Sequence, residues 1–265
     1  MTNKTSPRRF DFLSWKEVAE LAQKDRSTLV WPFGACEQHG PHLPLVTDSF
    51  FAEKIAEIVL DRLPKNVPVW LLPSQILGFS PEHVSFPGTL SLPSSLLVQL
   101  VIEVGEQIAS MGIKRLILFN AHGGQIGLLE TAARELRLKS PKMAVLPCFI
   151  WRGVSALKDL IPSVEIEEGL HAGLAETSLM LSLAPELVGQ ERPVEGFNYV
   201  KPPKGWSLEG DAPFSWLTKD VSNSGVIGNS LEANPLLGKE IETALVDHWI
   251  SLFTGLMESD WPPVR

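Results

Sequence analysis

An apolar run from Leu29 to Phe33, with the character of a buried strand, leads directly into a segment dense in cation-binding groups: Glu37, His39 and Asp48. Ionisable side chains are costly in a core unless something compensates them, so their position at the end of a core strand constrains the fold more than any other feature of the chain. If extended geometry persists past Phe33, Glu37 and His39 share one face, while Cys36 and Gln38 take the other. Gly40 and two prolines then turn the chain. Thr47-Asp48-Ser49 opens a helical pattern through Phe51, Ile55, Ile58, Val59 and Leu63, which puts Asp48 at a helix start and aims it back at the strand end.

The same junction recurs downstream. Trp15, Val18, Ala19 and Leu21 suggest a short first helix, and a second strand reads Val67 to Leu72. A long connection, 73 to 93, carries Gly78-Phe79-Ser80-Pro81-Glu82-His83 and Phe86-Pro87-Gly88-Thr89; loops of this length are more often functional than idle. Ser94-Ser95 are expected to cap a helix running to Gly112. A strand from Arg115 to Phe119 then delivers Asn120-Ala121-His122-Gly123-Gly124 into a helix, Ile126 to Leu138. A fourth strand, Met143 to Ile150, precedes Trp151 and an acidic run at Glu165, Glu167 and Glu168, read as a solvated surface. His171 to Ser178 follows, running into an apolar helix, Leu179 to Leu183. Strands alternating with helices predict an α/β fold with a mostly parallel sheet covered on both faces, whose sites form at the carboxyl ends of strands. Residues 185 to 235 are rich in turn formers and are expected to be irregular and available to cover the site, and a final amphipathic helix spans about Leu236 to Met257.

With 265 residues, 44% apolar and 20% charged, the chain suits one compact domain over 1–265. Its net charge of −8 and lack of basic runs argue against nucleic acid or anionic membrane as partner and for a small molecule. No run approaches the roughly 20 apolar residues of a membrane span, and the first residues lack the apolar core of a signal peptide, so a cytoplasmic protein is expected. Cys36 and Cys148 do not form a disulfide framework or a structural zinc pair.

Five histidines, His39, His42, His83, His122 and His171, lie in loops after strands or just before helices. His248 sits in a plain helical pattern and reads as structural. Glu37, His39, Asp48 and His122 bring mixed nitrogen and oxygen donors from separate elements, as a metal-assisted site requires. Carboxylate-rich sites with two imidazoles suit a pair of divalent ions, Zn or Mn first and then Fe, with Asp48 as the bridge. Glu176 either completes this set or serves the dipole of its helix. His171 is open to three readings, ligand, core hydrogen-bonder or proton donor, of which the donor is preferred. A Cys36–His39 thiol site is disfavoured because strand alternation separates the pair.

Taken together these motifs resemble the creatininase (creatinine amidohydrolase-like) family. Glu37-Gln38-His39-Gly40-Pro41-His42-Leu43-Pro44 through Asp48 is similar to its first signature, Gly78 to Thr89 to its second, Asn120 to Gly124 to its third and His171 to Ser178 to its fourth. The resemblance implies a three-layer α/β/α sandwich, a dinuclear metal centre, hydrolysis of a C–N bond in a small amide, cyclic amide or formamide, and a homo-oligomer, of which a hexamer is one form. It also implies that Glu37, His122 and Asp48 hold one metal and that His39 and Asp48 hold the other. Creatinine-hydrolysing members carry an aromatic residue and a metal-binding glutamate after the third-motif histidine. Here Gly123 and Gly124 stand there, so Glu176 is the candidate for the missing ligand. This form of the motif is closer to branches that act on formamides of pyrimidine nucleotides or trim peptides.

The reading is therefore a metal-dependent amidohydrolase in which a bridging hydroxide attacks the amide, His171 protonates the departing nitrogen, and Ser80, His83, Gly123 and Trp151 place the substrate. The alternative is a metal-bearing binding or assembly protein with a structural or degenerate centre. A phosphoesterase is disfavoured by the scarcity of nearby Lys or Arg.

Overall fold

The computed structural model describes residues 8–209 and 212–262. Its centre is a four-stranded parallel sheet in the order β2-β1-β3-β4, from β1 (Thr28–Phe33), β2 (Val69–Leu71), β3 (Arg115–Asn120) and β4 (Ala144–Phe149). Phe33 pairs with Asn120 and Asn120 with Phe149, so β1, β3 and β4 end at one level. The two central strands are wholly buried, which explains their continuous apolar runs. β2 is shorter than its apolar pattern suggests.

Alternation along the strands divides the core. Leu29, Trp31, Phe33, Leu116 and Leu118 face a layer of three helices, α1 (Trp15–Ala22), α3 (Ser94–Ser110) and α4 (Ile126–Lys139). Val30, Ile117 and Phe119 face α2 (Thr47–Arg62), α7 (Leu174–Leu183) and α9 (Pro235–Glu258). The architecture is thus a three-layer α/β/α sandwich, as expected. Helix α1 starts at a reciprocal Ser14–Glu17 capping box. Helix α3 departs from expectation: Pro93 occupies its N-cap and no side chain caps it, because Ser94 is already helical.

Between β4 and α7 lie two short helices, α5 (Leu157–Leu160) and α6 (Ser163–Glu168). The acidic run is not uniformly a solvated surface. Glu165 is buried and accepts hydrogen bonds from the amides of Leu174 (3.1 Å) and Asn229 (2.5 Å), joining the start of α7 to a small antiparallel pair, β5 (Val194–Glu195) and β6 (Gly228–Asn229). With a short α8 (Thr218–Val221), this segment brings Leu208, Phe214 and Trp216 over the strand ends. No helix among the described residues is long and apolar enough to cross a membrane.

Because β1 connects to β2 on one side and is flanked by β3 on the other, the strand order reverses at the β1/β3 boundary. A crevice opens at the carboxyl ends of such a pair. The segments carrying Glu37, His39 and His122 leave the sheet there.

Candidate metal centre

Past Phe33 the chain is no longer a regular strand, yet it keeps the expected sidedness. Glu37 and His39 turn into the crevice, while Cys36 lies against the Gly88 carbonyl. Burial, reinforced by Glu37, raises the Cys36 thiol, and burial pushes Cys148 up to about 12, so neither is a ready thiolate. Asp48, the second residue of α2, spans two imidazoles: Oδ1 is 3.3 Å from His39 Nε2, and Oδ2 is 3.3 Å from His122 Nδ1. Glu37 Oε2 is 3.3 Å from the same His122 nitrogen, and Oε1 lies 3.7 Å from His171 Nδ1. The four ligands inferred from sequence therefore meet at one buried point.

The other ring nitrogens decide what these contacts mean. His39 Nδ1 donates to the Glu37 carbonyl (3.2 Å), His122 Nε2 to the Phe79 carbonyl (2.8 Å) and His171 Nε2 to the Gln38 carbonyl (2.6 Å). A main-chain acceptor that takes one ring N–H leaves the other nitrogen of a neutral imidazole as a lone pair, the arrangement that orients metal-ligating histidines. Three lone pairs thus face carboxylate oxygens. Glu37 Oε2, His39 Nε2 and Asp48 Oδ2 are buried without a hydrogen-bond partner, and unsatisfied groups at such density are rare. Acceptors opposed to acceptors are what a cation resolves, so the donor set fits divalent metal.

The cation-free electrostatics carry the same tension. Burial pulls His39 down, but Asp48, Glu176 and Glu37 bring it to about 9; His122 rises well above its ordinary value against the same burial, through Glu37 and Asp48. Burial alone would raise Asp48, yet the two imidazoles hold it well below the usual carboxylate range. Glu176 rises to about 7, chiefly through burial. His171, stacked between His39 and His83 at ring-centroid distances of 4.2 and 4.1 Å, is held well below its ordinary value by burial and by those rings. A bound dication would reverse the logic for the ligands and favour neutral imidazole and ionised carboxylate.

Glu176 does two things. As the third residue of α7 it accepts from the Ala172 amide at 2.6 Å, the helix-start role, and it also clusters with His39 and His171 in ligand range. Ala172 has φ +52°, an uncommon value for a residue with a Cβ, and this turn brings His171 and Glu176 to the same side.

His83 differs from the other histidines. Its Nδ1 is occupied by the Gln38 side-chain amide (2.8 Å) and Thr218 Oγ1 (2.7 Å), so Nε2 points at Glu37 Oε1 from 3.5 Å and steadies that carboxylate. Ser80, expected to contact substrate, is fully buried behind His122, with Oγ 3.3 Å from Nε2, and is absent from the cavity wall. Gly123 and Trp151 do line that wall.

The cavity holds about 860 Å³ and is mostly apolar, bounded by Phe79, Phe149, Trp151, Leu208, Phe214 and Trp216, with the buried Glu37, Asp48 and His122 also in its lining. Sequence reasoning missed Glu82 and Glu209 in this wall; burial raises the Glu82 carboxyl. It also missed Gln125, whose buried amide donates to the Gly34 carbonyl (3.0 Å) and Asn120 Oδ1 (2.9 Å) and accepts from the Phe79 amide (3.2 Å), tying the ends of β1 and β3 to the long loop. The one signal for these residues was their place in post-strand loops.

Fold and site together define an α/β/α protein with a buried imidazole–carboxylate cluster at the sheet's switch point, a candidate site for metal. Residues 11–253 match the creatininase (creatinine amidohydrolase) family model, and the chain belongs to that hydrolase family. The mycofactocin precursor peptide peptidase of Mycobacterium tuberculosis (strain ATCC 25618 / H37Rv) is 33% identical over 83% of this chain and 82% of its own. Creatinine amidohydrolase of Pseudomonas putida is 30% identical over 69% of this chain and 74% of its own. Among solved structures, the manganese form of creatininase superposes with a TM-score of 0.76 at 25% identity, covering 94% of this chain and 98% of that one.

Proposed function

We propose that the protein is a metal-dependent amidohydrolase cleaving a C–N bond at the base of the cavity. The observation that carries this reading is the set of three imidazoles, each with one N–H held by a main-chain carbonyl and the other nitrogen turned toward carboxylate oxygens 3.3 to 3.7 Å away. Glu37, His122 and Asp48 would hold one divalent ion, and His39, Asp48 and Glu176 a second. When bound, such ions supply an activated water and polarise the amide carbonyl.

The chain's own groups do the rest. Asp48 links the two halves, one oxygen to each. Glu37 is kept in place by His83 Nε2, which is in turn fixed by Gln38 and Thr218. His171, anchored through Nε2, presents the Nδ1 lone pair inward; it takes a proton there from the attacking water and returns it to the departing nitrogen, a poor leaving group without it. The aromatic wall excludes water and receives the substrate's apolar body.

A chamber of about 860 Å³ exceeds what a small cyclic amide fills; formamide and peptide substrates are therefore placed ahead of creatinine. The similarity to a peptide peptidase supports the same order. Lys158 is the one Lys or Arg lining the cavity among the described residues, too few for a phosphate clamp.

The test is metal analysis of purified protein, with hydrolysis of a panel of formamides, peptides, cyclic amides and phosphate esters before and after chelation. About two ions per chain and amide hydrolysis abolished by chelator are expected. Undiminished hydrolysis by stripped protein would refute the proposal.

A further inference from the structure

Position 124 has no side chain, and the structure shows what occupies the space. A Cβ built on Gly124 would overlap Glu82 Oε1 and stand 2.8 Å from His122 Nε2. Glu82 comes from the short turn Pro81–His83 of the long loop, a different segment from that of His122, and its side chain is only 13% exposed. Its reach is into the centre: one oxygen of Glu82, one of Glu37 and a ring nitrogen of His122 all lie within 4.8 Å of one another.

A counter-ion role toward His122 does not account for this placement. His122 Nε2 already donates to the Phe79 carbonyl at 2.8 Å, and the Glu82 oxygen is 3.8 Å from that nitrogen, too far for a hydrogen bond. Independently, Glu37 Oε2, almost fully buried and 3.3 Å from Nδ1 of the same His122 ring, has no hydrogen-bond partner. Two carboxylates, one with an unsatisfied oxygen, and an imidazole within 4.8 Å of one another are a ligand set for a hard or borderline divalent cation.

We propose, on the two-metal reading above, that Glu82 is a metal ligand on the Glu37–His122 side of the centre, delivered from the long loop into space that a side chain at 124 would otherwise fill. Glu176 lies on the opposite, His39 side, so each half of the centre has its own terminal carboxylate, with Asp48 between them. The proposal ties the 73–93 loop to metal occupancy: the cation would fasten the loop that also forms the cavity wall at Phe79 and Pro81.

The test is zinc binding to metal-stripped protein, by chelator competition and by metal analysis after dialysis, with folding checked by circular dichroism. Wild type should take up two zinc ions. Glu82→Ala and Glu82→Gln should each weaken one of the two at least about 10-fold, because losing a direct ligand costs no less than losing an outer-shell partner. Glu82→Gln keeps the size and hydrogen-bonding capacity of the side chain, so a loss shared by both variants reads on the charged ligand and not on packing. Two zinc ions bound by Glu82→Ala at wild-type affinity would overturn the Glu82 assignment while leaving the two-metal reading intact. A wild-type chain that takes up no zinc would overturn both.

Discussion

Gly34 is the first residue past β1, and the start of α2 lies against it. A Cβ at this position would stand within 2.5 Å of Ser49 Oγ and closer still to Ser49 N and Cα. Most of that collision is with backbone, so no side-chain rotation relieves it. In Gly34→Ala, restoring the 3.4 Å of ordinary contact requires the first turn of α2 to move by roughly 1 Å. That turn carries Asp48, whose two oxygens are each 3.3 Å from an imidazole nitrogen, so the shift is a large fraction of the distance that holds the centre together. Overpacking of this kind costs about 1–3 kcal/mol of stability, and misplacing a reacting group by about 1 Å costs on the order of 100-fold in rate. Zinc titration of stripped protein, steady-state hydrolysis and chemical denaturation measure the three effects separately. Metal affinity and kcat should fall together. Gly127→Ala is the control: it lies in α4, has nothing within 4 Å of the added methyl, and should stabilise by about 0.5–1 kcal/mol. Wild-type metal affinity in folded Gly34→Ala would refute the claim that this close approach sets the position of Asp48.

The remaining expectations rest on other parts of the molecule. His122→Ala should lose bound metal, whereas His171→Ala should depress turnover far more than metal content; the reverse pattern in metal analysis and kcat would overturn the roles proposed for the two rings. Glu165→Ala strands the amides of Leu174 and Asn229 and should cost about 1–3 kcal/mol in denaturant melts, against less for Glu165→Gln. Buried His42, its Nε2 2.8 Å from Thr177 Oγ1, is brought down to about 4 by burial and by the charges of His39 and Arg192. Its folded value lies below the unfolded one of about 6.5, so its contribution to stability is complete above about pH 6.5 and is lost as pH falls through about 4. In stripped protein His42→Gln should make the pH dependence of stability over that window shallower by about one proton, and an unchanged slope would count against the assignment.

Glu37, His39, Asp48 and His122 were legible because a water-excluding core tolerates such groups only where something compensates them, and each stands where an apolar strand ends or a helix starts. The parallel sheet was legible for a related reason: β1 and β3 are buried on both faces, so their residues read as unbroken apolar runs. Glu82 and Glu165 were not, since an acidic residue in a loop has the same local signature whether it faces solvent, caps a distant helix or enters a metal site. What separates them is the chain packed against them, here the bare backbone of Gly124 in one case and the start of α7 with β6 in the other. Gln38 and Gln125 carry still less signal. Their amides are chemically unspecialised, yet Gln38 fixes the His83 ring and Gln125 ties β1, β3 and the long loop together. The groups proposed to perform chemistry are thus betrayed by the cost of burying them. The groups that aim them are ordinary polar residues satisfied by partners far away in the chain, and only the fold reveals those partners.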